Sequence, residues 1–285
     1  MQSDQTQVQK AALPWAHLRL PPFPQVALKV LQLVHSDNVS LVKLCELISA
    51  DPAFAAEVLT VANSALYSPR YPSGSILQAV TVLGANTLQG MCITVGVRAY
   101  LGKTMSDPAM RCLWRHNLAT ALIAEQLASH GIGDKNIAYT AGILHDMGRI
   151  ALAVVQPKKY AELLNAYRGA PIGLLEAERA LFGQDHCETG SQLLRDWKLP
   201  QSFEAVVSEH HQARRTDGAW DLGELMKVSC AMADVAGFAA CPGCEVQPWD
   251  ELVEQLPARE RRLFHSELES LTAEVAAAIH VMEAI

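Results

Sequence analysis

Gly142-Ile143-Leu144-His145-Asp146-Met147-Gly148-Arg149 is the stretch on which the reading of this chain turns. An imidazole followed directly by a carboxylate offers a neutral nitrogen and an ionised oxygen. Such donors suit borderline or hard divalent cations, which can activate water or polarise a phosphoryl oxygen. Two residues cannot hold an ion alone, and the doublet equally fits a histidine followed by an aspartate that caps a helix. Further donors have to come from elsewhere in the chain.

The candidates fall in the order His116, His145-Asp146, His186, His210-His211 and Asp234, each on or beside a separate helix. If those helices pack as one bundle with these faces inward, the set offers more donors than one ion needs, and two ions could share Asp146. Taken singly, each has a plain structural reading. His116 and His186 fit satisfied core histidines, His210-His211 an exposed helix end, and Asp234 a salt-bridged surface residue.

The helices are read from caps and periodicity. Val26, Val30, Leu33 and Val34 recur at helical spacing. Ser40 caps a helix over Leu41 to Ala50, and Asp51-Pro52 opens another over Ala53 to Ala62. Ile76 to Leu83 forms a further helix that stops near Gly84, and Ser106-Asp107-Pro108 starts the one carrying His116. One helix from roughly Asn136 to Val155 is expected to carry His145 and Asp146. Leu174 to Leu181 reads as short and amphipathic, with Glu176, Glu178 and Arg179 to solvent. Glu188 to Trp197, Ser202 to His211 and Leu222 to Ala236 follow, then a break at 237 to 248 and a charged carboxy-terminal helix. The expected organisation is a flexible tail (1–17), an amino-terminal helical half (18–104), a helical core holding the doublet (105–236), and a linker with the last helix (237–285).

Composition supports an all-α class. Half of the 285 residues are hydrophobic, 19% are charged and only 6% are aromatic, with Ala and Leu abundant. The formal net charge of −7 argues against a nucleic-acid surface, because phosphate neutralisation needs clustered Lys and Arg. Arg214-Arg215 and Arg259-Glu260-Arg261-Arg262 are the basic clusters, and the second reads as a solvated helix face. No apolar run is long enough to span a bilayer and the first residues do not form a signal peptide, so a cytoplasmic location is expected. The seven cysteines read as reduced thiols. Cys241-Pro242-Gly243-Cys244 has ligand-like spacing but no second knuckle, which leaves a turn with two thiols or a redox sensor. Glycine-rich phosphate loops and a Gly-x-Ser-x-Gly elbow are absent from the sequence, which removes common nucleotide folds and triad hydrolases.

The order of donors around Leu144-His145-Asp146-Met147-Gly148-Arg149 resembles the HD phosphohydrolase superfamily. Within it, the chain is most similar to the HDOD family of bacterial signalling proteins. Leu20-Pro21-Pro22-Phe23-Pro24, Ile48-Ser49-Ala50-Asp51-Pro52, Val61-Ala62-Asn63-Ser64, Ala79-Val80-Thr81-Val82-Leu83-Gly84, Leu113-Trp114-Arg115-His116 and Trp197-Lys198-Leu199-Pro200 carry that resemblance over roughly residues 20 to 235. It implies a multi-helix bundle with an HD-like core, and a regulatory module acting through contacts with bacterial signalling proteins in two-component or cyclic-dinucleotide pathways. It also implies one or two divalent ions of Fe, Mn, Zn, Ni or Mg. His116, His145, Asp146 and Asp234 would hold one, and His186, His210 and His211 a second with Asp146 between them. The alternative is an active phosphohydrolase on a nucleotide or cyclic dinucleotide, in which Asp146 and Arg149 take catalytic roles and Arg149 orients a phosphate oxygen. The related HD-GYP phosphodiesterases differ at several points. Cys112 stands where an acidic ligand can occur, Arg149 replaces a Lys, and Gln212 follows the paired histidines instead of Glu. Asp217-Gly218 is kept, but Ala219-Trp220-Asp221 follows it in place of Gly-Tyr-Pro. The segment of about forty residues between Asp146 and His186 is longer than in those enzymes.

Overall fold

Capping chemistry starts the helices where the sequence places them. In the computed structural model, which describes residues 22–33, 40–67, 71–215, 219–265 and 267–284, Ser40 Oγ accepts from Lys43 N and opens α2 (Leu41–Ser49), after α1 (Gln25–Leu33). The Asp51 carboxylate accepts from Ala53 N and Phe54 N, with Pro52 as the first residue of α3 (Pro52–Ala62). Ser75 caps α4 (Ile76–Leu83). Such oxygen acceptors satisfy amide groups that the helix itself cannot. The expected tail at 1–17, Leu20-Pro21, Val34 and Asp217-Gly218 lie outside the described residues.

The sequence reading assigns no element to the next segment, which forms α5 (Ala85–Leu101). Twelve of its residues are buried, from Leu88 to Leu101. A helix enclosed on nearly every side lacks the polar face that makes an amphipathic helix visible. It packs against α1, α3 and α4 and forms the floor of the amino-terminal half.

Asp107 caps α6 (Pro108–Ser129), whose buried face includes Trp114 and His116. The single helix expected over Asn136 to Val155 is two: α7 (Lys135–Leu144) and α8 (Met147–Val155), with His145 and Asp146 in the joint. Asp146 leaves the helical basin at φ −104°, ψ 24°, and its side chain makes no capping bond. Its carboxylate is turned instead toward the histidines.

The long segment before His186 folds into α9 (Pro157–Ala166) and α10 (Pro171–Phe182), which pack a satellite core of Tyr160, Leu164, Leu174 and Phe182 against α6. Glu176 and Arg179 are exposed as expected, but Glu178 is completely buried. The reason is chemical, because both Tyr160 and His186 hydrogen-bond to it. Then come α11 (His186–Asp196), α12 (Gln201–Glu209) and α13 (Leu222–Ala233). The helix expected to reach Ala236 stops at Ala233, and the chain leaves it through a wide π-type turn, Asp234–Phe238. Before the closing helix α16 (Leu268–Glu283), Pro248 and Pro257 precede two short helices, α14 (Trp249–Glu254) and α15 (Ala258–Phe264).

No strand occurs among the described residues, only one isolated bridge between Gly169 and Cys244. One hydrophobic cluster runs from Phe23 to Met282, so the two helical halves share a core. Phe23 ahead of α1, Tyr100 on α5 and Trp197 after α11 meet there, with Phe23 and Trp197 ring centroids 4.7 Å apart. None of the described helices is long and apolar enough to cross a membrane.

Candidate metal centre

Close backbone approach assembles the site. Gly142 on α7 lies against the Ala121 backbone of α6, and a Cβ there would collide with it. Gly148, the second residue of α8, abuts the His186 carbonyl and faces Gly190 on α11. These contacts draw α6, α8 and α11 together at one point, with His145-Asp146 between them.

Four histidines there have the same tautomer for the same reason. A carbonyl oxygen can only accept, so the imidazole nitrogen facing it must donate. His145 Nδ1 lies 2.7 Å from Gly142 O, His210 Nδ1 3.0 Å from Val207 O, and His116 Nδ1 3.0 Å from Phe238 O. His186 Nδ1 donates to Glu178 Oε2 at 2.6 Å. All four Nε2 atoms then face inward around Asp146. His116 and His145 Nε2 are 3.2 Å apart, and each is 3.8 Å from Asp146 Oδ2. On the other side, Asp146 Oδ1 lies 3.2 Å from His210 Nε2 and 3.5 Å from His186 Nε2. His186 Nε2 and Asp146 Oδ2 are buried without a hydrogen bond.

These spacings fit an ion. With ligand lengths of about 2.0–2.1 Å for nitrogen or oxygen and about 2.3 Å for sulfur, tetrahedral donors stand about 3.3–3.6 Å apart. Two groups meet at this centre: Asp146, His186, His210 and His211, and His116, His145 and Cys230. Asp146 belongs to the first and faces the second. Cys230 was not among the sequence candidates. Asp234 belongs to neither group; its carboxylate lies 3.2 Å from His116 Nδ1, on the outward edge of the ring. Cys112, one turn before His116, is likewise in neither.

Arg149 enters the same space. Its Nε is 2.9 Å from Asp146 Oδ2, an ion-pair contact without hydrogen-bond alignment, and another of its nitrogens lies 3.0 Å from His211 Nε2. The guanidinium can only donate, so the His211 Nε2 lone pair is already used. Burial works against charge on Asp146, but Arg149 and His145 outweigh it and hold the carboxyl well below the usual range. Burial lowers His145, His210 and His211, with neighbouring histidines adding to the effect. Burial also presses on His116, yet Cys230 and Asp234 raise it well above its ordinary value. For His186, burial and Arg149 are overcome by Glu178, and the imidazole is pushed up to about 10.

Glu178 is the supporting residue that the sequence reading sent to solvent. It accepts from the His186 side chain and backbone and from Tyr160, and His186 outweighs burial to keep its own value low. Its sequence signal was weak: a carboxylate eight residues before His186, inside a segment of unusual length. A cavity of about 660 Å³ opens beside the cluster, lined in part by His210, His211, Cys230 and Asp234. Lys227 and Arg214 also line it, and Glu224 pairs with both.

Residues 20–213 match the HDOD domain family. The chain belongs to that family. This HDOD protein is 29% identical over 215 residues to an uncharacterized protein of Treponema pallidum (strain Nichols), covering 73% of the present chain and only 41% of that longer protein. Its fold is similar to the crystal structure of an HDOD domain protein of unknown function from Geobacter sulfurreducens, with a TM-score of 0.75, 24% identity, and 91% and 92% of the two chains covered. It is also similar in fold to a protein from Shewanella amazonensis SB2B provisionally named a phosphohydrolase, with a TM-score of 0.65, 24% identity, and 93% and 94% covered. The family match ends before Cys230 and Asp234.

Proposed function

We propose that this chain is a bacterial signal-transduction module of the HDOD family that acts through protein contacts, with a divalent ion held by His116, His145 and Asp146 inside the ring that His186 and His210 complete. The observation that carries the metal reading is the convergence of four imidazole Nε2 atoms on one carboxylate, each with its Nδ1 proton directed outward. Polar atoms buried without partners are costly in a dry interior, and a cation taking the place of protons on the ring removes that cost. When bound, such an ion supplies Lewis acidity and lowers the pKa of water.

Arg149 favours a structural or sensory use of the ion. Its fixed positive charge neutralises part of Asp146 and engages the His211 Nε2 that a second ion would need. Leu41, Val42, Leu77 and Val82 leave exposed aliphatic groups on the paired helices α2 and α4, a surface suited to helix-face recognition.

The cavity beside His210 and His211 favours a second reading, hydrolysis of a phosphoester in a nucleotide or cyclic dinucleotide. There Arg149 would orient a phosphate oxygen, and Arg214 and Lys227 would have to exchange Glu224 for the substrate. Ion stoichiometry and turnover on cyclic dinucleotides separate the two. About one ion per chain without turnover is the expected result; about two ions with turnover lost in Asp146→Ala would favour the enzyme.

A further inference from the structure

Asp234 and Cys230 lie one turn apart on the same strand of chain, and they address opposite edges of His116. Asp234 reaches Nδ1, whereas Cys230 Sγ lies 3.5 Å from Nε2, the nitrogen that faces the cluster. For a tetrahedral ion the expected sulfur-to-nitrogen spacing is about 3.5 Å. His116 Nε2 and His145 Nε2 are 3.2 Å apart, close to that spacing, and each stands 3.8 Å from Asp146 Oδ2, a few tenths of an ångström wide of it. Cys230 is buried and grouped with His116 and His145 as a potential ligand set.

We propose that Cys230 completes a His116, His145, Asp146 and Cys230 donor set, while Asp234 serves as a positioning residue that holds the His116 ring. The inference rests on the reading that this cluster binds an ion. It changes the character of the site, because a thiolate donor selects zinc, cobalt or ferrous iron over magnesium and manganese. On binding, the Cys230 thiol loses its proton to solvent and the sulfur lone pair forms the bond to the ion. Asp234, held off the ion by the ring, lies beside the Nδ1 proton that the Phe238 carbonyl accepts and raises the basicity of Nε2.

Cobalt(II) titration of the full chain under reducing conditions tests this. The expected result is a thiolate-to-cobalt charge-transfer absorption in the near ultraviolet. Cys230→Ser should abolish it while cobalt still binds, roughly tenfold or more weakly. Asp234→Asn and the double variant Cys241→Ser with Cys244→Ser should keep it. Cys230→Asp should retain an ion and shift selectivity from zinc toward manganese, which also shows that the variant folds. Cobalt bound without the absorption in the parent protein would overturn the role of Cys230 and leave the metal reading standing. Absorption lost only in the Cys241 and Cys244 variant would overturn it too. Failure of the parent to bind cobalt or zinc would remove both.

Discussion

Glu178 shows how a single buried carboxylate can control a site it does not enter. Its oxygen fixes the His186 ring, whose Nε2 faces Asp146 Oδ1, so Glu178→Gln is expected to weaken ion binding through Asp146, by about tenfold. Competition against a chromophoric chelator measures this, and Glu176→Gln, exposed on the same helix, should change nothing. The pair also sets a pH window for the metal-free chain. His186 has a raised value, so its stabilising contribution is complete below the ordinary histidine range and is lost as pH rises through about 10. Glu178 has a lowered value, so its contribution is present above the ordinary carboxylate range and is lost as pH falls through that lowered value. Ion binding follows the opposite logic at His116, which must give up its proton. Affinity is therefore expected to rise with pH near neutrality, by roughly tenfold per unit for each proton displaced, in isothermal titrations in matched buffers. At this scale the sequence revealed donors more readily than supports. That His116, His145, Asp146, His186 and His210 come together was readable from the order of motifs that resembles a known superfamily, whereas each residue singly fits a core or helix-end role. Glu178, Cys230 and the outward turn of Asp234 depend on which edge of a ring a neighbour reaches, which linear spacing does not encode.

Elements place these atoms by glycine contacts. Gly148→Ala would push α8 from the His186 carbonyl of α11, at a cost of about 1–3 kcal/mol. It is expected to weaken ion binding as well, because Asp146 and His186 would separate. Denaturant unfolding and chelator competition on the same sample test both parts. Helix starts were readable at Ser40, Asp51 and Asp107, because capping is local chemistry, while the cap at Asp185 starts its helix at His186 and not at the expected Glu188. The break between α7 and α8 was not, since Leu144 to Gly148 holds no proline and the non-helical backbone of Asp146 shows only in the structure. The inserted α9 and α10 were visible as extra length, but not as the source of Glu178.

At the scale of the whole molecule, the ion centre and the aliphatic face of α2 and α4 belong to one body, joined through the core that links Phe23 with Trp197. Leu77→Glu combined with Val82→Glu alters side chains that are about 60% exposed, so stability should change by no more than about 0.5 kcal/mol per site. Cross-linking to bacterial signalling proteins is expected to fall sharply with melting behaviour unchanged; unaltered cross-linking would place the contact surface elsewhere. The all-α class and the shared bundle were legible from composition and motif order, whereas the direction of each helix face was not. The metal reading depends on the cluster around Asp146 holding a cation. Elemental analysis of protein purified without chelator, alongside Asp146→Ala, tests that most directly. Close to one transition-metal ion per chain is expected in the parent. In the variant the ion should be lost, and the unpaired Arg149 charge should cost about 3–5 kcal/mol. A parent chain that carries no ion and takes up none when zinc, iron or manganese is supplied would contradict the account.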